Sequence, residues 1–130
     1  MLFGAINLFR SESKEAELLR AVEIIQADVR YARNRAVRYG MRHRIFFDVN
    51  SNTYTIYYET NSRFQLLRTE SIYGNVCLNF HNFPRTGLTF TVRGTATPAG
   101  RIELSNSPYE ITVTFMLGTG TVNVREIVRY

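Results

Sequence analysis

At 130 residues the chain is long enough for one domain with a core of its own and too short for two. Hydrophobic residues at 45% and charged residues at 21% exclude a disordered tail, and the single cysteine, Cys77, excludes an internal disulfide. The formal net charge of +5 is carried almost wholly by arginine, Lys14 being the only lysine. A guanidinium binds phosphate or carboxylate as a flat fork, so the bias favours contact-making.

The chain opens on MLFGAINLF, an apolar run of nine residues. A bilayer span takes about 20 residues, and the basic start and cleavage site of a signal peptide are missing. The run is therefore either the start of a soluble chain or the tail of a longer hydrophobic segment. Residues 12–39 then predict a single helix. Leu18, Val22, Ile25, Val29, Ala32 and Ala36 recur at four–three spacing and fall on one narrow stripe. Gly40 is the expected stop, because glycine takes the left-handed conformation that closes helices. The stripe shrinks toward Ala32 and Ala36, and small residues let a helix approach a sheet closely, so the C-terminal half is expected to be the docked half.

After Gly40 the period changes to two. HRIFFDV (43–49) and TYTIYYE (53–59) flank NSN and predict a hairpin. RFQLLRT is a further candidate strand in the ambiguous stretch 60–87. LTFTV (88–92) sets Leu88, Phe90 and Val92 against Thr89 and Thr91. RIEL (101–104), EITVTF (110–115) and TVNV (121–124) follow, the last after a GTG turn. The expectation is an α+β domain: one long N-terminal helix (12–39) on a sheet face of six or seven antiparallel strands, the β-rich body running over 42–128.

Chemistry is sparse. His43 and His81 stand alone and suit strand or loop positions better than metal ligation. Cys77 suits a small buried apolar site. GTGTV lacks the lysine of a phosphate-binding loop, and the acids are scattered. No catalytic residue, metal or cofactor is expected.

The feature that asks for a function is VRYARNRAVRYGMRHR (29–44), with six arginines and no acid. Glutamates at 12, 15, 17 and 23 and Asp28 precede it, so part of the pattern serves the helix dipole. That effect fades beyond the last turn and leaves Arg30 unexplained. On the helical wheel Arg33 flanks the apolar stripe, where its stem can cover the core edge. Arg30, Arg35 and Arg38, with Tyr31 and Asn34, fan outward. A broad fan suits a general electrostatic surface, for an acidic protein partner or a phosphate backbone. Tyr54, Tyr57 and Tyr58 are expected to fill the sheet rather than stack on bases.

The helix LLRAVEIIQADVRYARNRAVRYG before a β-rich body resembles the GspH/FimT group of type IV pilin-like proteins, the minor pseudopilins. The family's "aRneAi" helix end is similar to Ala32-Arg33-Asn34-Arg35-Ala36-Val37 with Gly40. LTFTVRGTATPAGRIEL resembles the family's strand, glycine turn and "G-x-I-x-L", with Phe90, Gly94, Gly100, Ile102 and Leu104 in those places. ITVTFMLGTGTVNV resembles its closing hairpin.

The resemblance implies a long helix whose first half is a membrane segment and filament core, trimmed by a prepilin peptidase before a glutamate. Neither leader nor glutamate stands near the start here. Residues 1–11 would then be the remnant of the hydrophobic segment, Met1 an internal start, and 12–130 a single pilin-like domain. It also implies a subunit that joins, primes or caps a filament of a type IV pilus, competence or type II secretion machine. Its partners would be other pilins, the inner-membrane assembly platform and, through the missing segment, the membrane. The body would be periplasmic, or in a surface pilus. Some FimT-like members bind DNA through a C-terminal glycine–arginine motif. The corresponding Gly118-Thr119-Gly120-Thr121, with Arg125 and Arg129 only later, does not reproduce it. DNA binding is therefore the alternative. Candidate contact residues, for subunit or DNA, are Arg30, Arg35, Arg38, Arg42, Arg44 and Arg125.

Overall fold

A computed structural model describes residues 13–116, 122–124 and 128–129. The expected hydrophobic remnant at 1–11, the GTG turn at 118–120 and Arg125 lie outside the described residues. Helix α1 (Lys14–Tyr39) begins where Ser13, in extended conformation, accepts a hydrogen bond from the Ala16 N–H at 3.0 Å. Glu15 and Glu17 occupy the first turn, on the side the helix dipole favours. The helix ends at Gly40, whose φ of 62° and ψ of 36° let its N–H return to the Ala36 carbonyl.

Leu18, Ala21, Val22, Ile25, Val29, Ala32 and Ala36 are all buried. The helix is thus docked along its whole length, not mainly in its C-terminal half. The reason is that two sheets share it. Near its start, Asn106 donates to the Lys14 carbonyl and to Glu17, both at 2.9 Å. Further along, Asp28 at mid-helix and Arg35 near the end reach the hairpin that follows Gly40.

The strands are β1 (His43–Asp48), β2 (Thr53–Thr60), β3 (Arg63–Ser71), β4 (Cys77–His81), β5 (Leu88–Phe90), β6 (Ala96–Thr97), β7 (Gly100–Asn106), β8 (Tyr109–Phe115), β9 (Val122–Val124) and β10 (Val128–Arg129). The first sheet runs β3-β2-β1-β5-β6; in the second, β10-β8-β7-β4, β9 also pairs with β8. All pairings are antiparallel. The class is the expected α+β, but the described residues hold ten strand segments in two sheets instead of six or seven in one. The additions, β4, β6 and β10, are short, and a bulge in β4 between Leu78 and Phe80 breaks its period of two.

The two sheets meet over Phe47 from β1, Phe115 from β8 and Phe83 from the connection after β4, with ring centroids 5.6–5.8 Å apart. Asn52, in the β1–β2 turn at a φ of 58°, stitches them further, donating to the Val76 carbonyl and accepting from the Leu78 N–H. Two details differ from expectation. Cys77 is exposed, because its neighbours Val76 and Leu78 take the inward positions of the pleat. Val92 is exposed and Thr89 buried, because β5 stops at Phe90 and the chain turns back at once, with Thr91 bonded to Thr95.

Candidate functional site

The arginines of 29–44 divide once partners are assigned. Arg33 lies at the core edge and donates from Nε to the Gly94 carbonyl at 2.9 Å, tying the helix to the β5–β6 turn. Arg35, placed in the outward fan by sequence, is half-buried. Its Nε donates to His43 Nε2 at 3.2 Å, and its guanidinium sits 4.8 Å from the Tyr39 ring, 5.7 Å from Tyr58 and 5.9 Å from Tyr31. The correction has a simple cause: β1 begins directly under the helix end, and its first residue offers a fully buried acceptor.

His43 donates from Nδ1 to the Met41 carbonyl at 2.9 Å, which leaves Nε2 as the acceptor for Arg35. Burial lowers the imidazole's pKa; the Met41 carbonyl pulls it up and the Arg35 cation presses it down again. The neutral ring is therefore the form that fits. His81, the other isolated histidine, accepts from the Phe83 N–H at 3.1 Å.

Arg30 and Arg38 are exposed and make no ion pair among the described residues; Arg38 leans on Tyr39 at 5.6 Å. Only Arg38 of the helix arginines lies in the last turn, so the dipole accounts for that one alone. Arg42 pairs with Glu59 at 3.8 Å, and Arg44, on the face of β1 turned away from the helix, lies over Phe64. The candidates are thus not one fan. Arg30, Arg35 and Arg38 share the helix surface, while Arg42 and Arg44 belong to the sheet.

Sequence reasoning missed Arg68. It reaches from β3 to the Asp28 carboxylate and lies 4.8 Å from the centre of the Tyr31 ring. No local pattern signals this, because the partners are 40 residues apart. The Asp28 carboxylate also takes the hydroxyl of buried Tyr54 at 2.5 Å. Burial, with Asp28 beside it, pushes that hydroxyl's pKa far above the ordinary tyrosine range. The result is a braced surface: Tyr31, Asn34, Arg35, Arg38 and Tyr39 line a shallow hollow of about 160 Å³. Small-molecule sites run to roughly 300–1,000 Å³. The hollow suits a side chain or two from another protein, and arginine with tyrosine is the composition of protein contacts.

A long helix laid across two antiparallel sheets is the architecture of pilin-like proteins. The minor pseudopilin EpsH of the type 2 secretion system of Vibrio cholerae matches 84% of this chain over 96% of its own, with a TM-score of 0.69 at 14% identity. The type IV minor pilin FimU of Pseudomonas aeruginosa matches 88% over 92% of its own, with a TM-score of 0.64 at 17% identity. Among curated proteins none matches. Residues 21–118 match the family described as type II transport protein GspH, so the chain belongs to the GspH family and is a minor pseudopilin of that type. Membership implies a place in the cell envelope among other pilin-type subunits. Among the described residues no helix is long and apolar enough to cross a membrane.

Proposed function

We propose that this chain is a structural subunit that joins, primes or caps a pilus-like filament of a type II secretion, type IV pilus or competence machine. Its contact with the next subunit is the basic end of α1, where acidic side chains of the neighbour meet Arg30 and Arg38 beside the tyrosine-boxed Arg35. In this reading residues 1–11 end a hydrophobic segment held in the inner membrane. Residues 12–130 are one extracytoplasmic body, delivered to the filament by the inner-membrane platform.

The observation that carries the proposal is the pair of exposed arginines that form no ion pair among the described residues, on a helix whose Arg20, Arg33 and Arg35 are already engaged. Arg35 bonds to His43, so reversing it would disturb the body as well. The cleaner test is Arg30→Glu with Arg38→Glu in the full-length gene product. The expected outcome is unchanged thermal stability, within about 0.5 kcal/mol for surface positions, with loss of incorporation into filaments. Incorporation should return when an acid on the neighbouring subunit is exchanged for arginine. Normal assembly of the double variant would refute the assignment. Binding of the unaltered chain to duplex DNA, falling steeply with salt, would move these residues to the alternative role.

A further inference from the structure

The first sheet has a second face, turned away from the helix. Along β1 and β2 the inward side chains Ile45, Phe47, Tyr54 and Ile56 are buried. The outward positions of a half-solvated antiparallel sheet are ordinarily polar. Here Asp48, Thr53, Thr55 and Glu59 keep that rule, but between them lie Arg44, Phe46 and Tyr57, continued on β3 by Phe64 and Leu66. The register sets Arg44 opposite Tyr57, and Tyr57 opposite Leu66. A bulge makes this possible. The pairing steps from Ile56–Arg68 to Tyr57–Leu66, so Leu67 is the extra residue. The bulge lets Arg68 face the helix while Leu66 and Phe64 face out. Leu66 is 58% exposed, the highest value among the described large hydrophobic residues.

These side chains form a shaped patch. Phe46 meets Tyr57 edge-on at 5.3 Å, and the Arg44 guanidinium carbon lies 3.8 Å from the centre of the Phe64 ring. Arg44, Phe46, Tyr57 and Phe64 enclose an open hollow of about 190 Å³. Arg44 Nε is buried with no hydrogen-bond partner among the described residues. Arg42 nearby has Glu59, but Arg44 forms no ion pair there. Arg44 is only half-buried beside this open hollow, so its guanidinium is free to donate to an acceptor that approaches from outside.

The occupant follows from size and charge. The hollow is below the range of small-molecule sites. A phosphate backbone or an anionic membrane needs several unpaired cations, whereas this patch offers one, with the Glu59 carboxylate at its border. We propose that the outer face of the first sheet docks a protein segment in which one carboxylate neighbours an apolar side chain. The carboxylate takes the forked donors of Arg44, Nε among them. The apolar neighbour packs between Phe46, Tyr57 and Leu66. This surface lies on the far side of the sheet from α1 and does not depend on the helix-end contact.

The test uses the isotope-labelled full chain and the peptide acetyl-Phe-Glu-Leu-amide, with its Gln counterpart as control. The Glu peptide shifts the Arg44 Nε–H signal and the amides of Phe46, Tyr57 and Leu66, with affinity in the millimolar range. The Gln peptide binds about tenfold more weakly, since it lacks the charge-assisted pair. Arg44→Gln abolishes the difference between the peptides. Leu66→Ser, at an exposed position, weakens both and keeps the fold. Absence of these shifts at roughly 10 mM peptide, equal binding of the two peptides, or shifts elsewhere would overturn the proposal. So would preferential response of the same signals to anionic phospholipid vesicles or to an oligothymidine strand.

Discussion

Replacing Asp28 by alanine removes the acceptor that two strands reach for. Tyr54 is 1% exposed, and its hydroxyl would be left buried without a partner, at a cost of roughly 1–3 kcal/mol. Arg68 is 38% exposed at its side chain, so losing its ion pair adds only about 0.2–1 kcal/mol. Alanine is a better helix former than aspartate by about half a kcal/mol, which offsets part of the loss. The net expectation is a destabilisation of about 1–3 kcal/mol. At roughly 2.1 cal/mol/K of unfolding entropy per residue, 130 residues make each kcal/mol worth about 4 °C of melting temperature. The variant should therefore melt about 4–12 °C lower. The decisive measurement is a double-mutant cycle with Tyr54→Phe, read by urea unfolding at pH 7. Once the hydroxyl is gone, Asp28→Ala should cost about 1–2 kcal/mol less than before. An equal cost in both backgrounds would show that the Tyr54 hydroxyl does not depend on this carboxylate.

His43 gives a pH dependence with a definite sign. Burial lowers its pKa in the folded state, while the unfolded chain accepts the proton near the ordinary 6.5. The unfolded state then binds more protons below that value, so the stabilisation is full above about 6.5 and is lost as pH falls from there toward the lowered folded value. Urea midpoints measured from pH 8 to 5 should decline in that window and flatten in His43→Gln; an identical decline in both would rule out His43 as the source. Two glycines with positive φ should respond differently to alanine. At Gly40 an added Cβ meets nothing within 4 Å, and the cost is that of the left-handed backbone alone, roughly 1–2 kcal/mol. At Gly87 the same carbon would lie 2.4 Å from the Ile45 carbonyl oxygen, forcing β5 away from β1. Its loss should exceed that of Gly40→Ala by at least about 1 kcal/mol, and equal melting temperatures would contradict the packing described.

The helix was legible from its amino acids because everything that makes it is local. Gly40 closes it as expected, the four–three recurrence from Leu18 to Ala36 is the stripe that is buried, and only the start moves, from residue 12 to Lys14 behind the Ser13 cap. Strands β1, β2, β7 and β8 were legible for the same reason, as runs of period two long enough to register. The family likeness rests on these same elements in order. Tertiary structure alone decided the rest, because it depends on which distant residues face each other. Two sheets instead of one, the inward turn of Arg68 and the outward turn of Leu66 all follow from pairing register and a single bulge. Arg35 and Arg38 are three positions apart and look alike in sequence. One is boxed by tyrosines, with β1 placing His43 beneath it, and the other stays exposed with no ion pair among the described residues. Periodicity says which way a side chain points from its own element, but only the arrival of another element says what it meets.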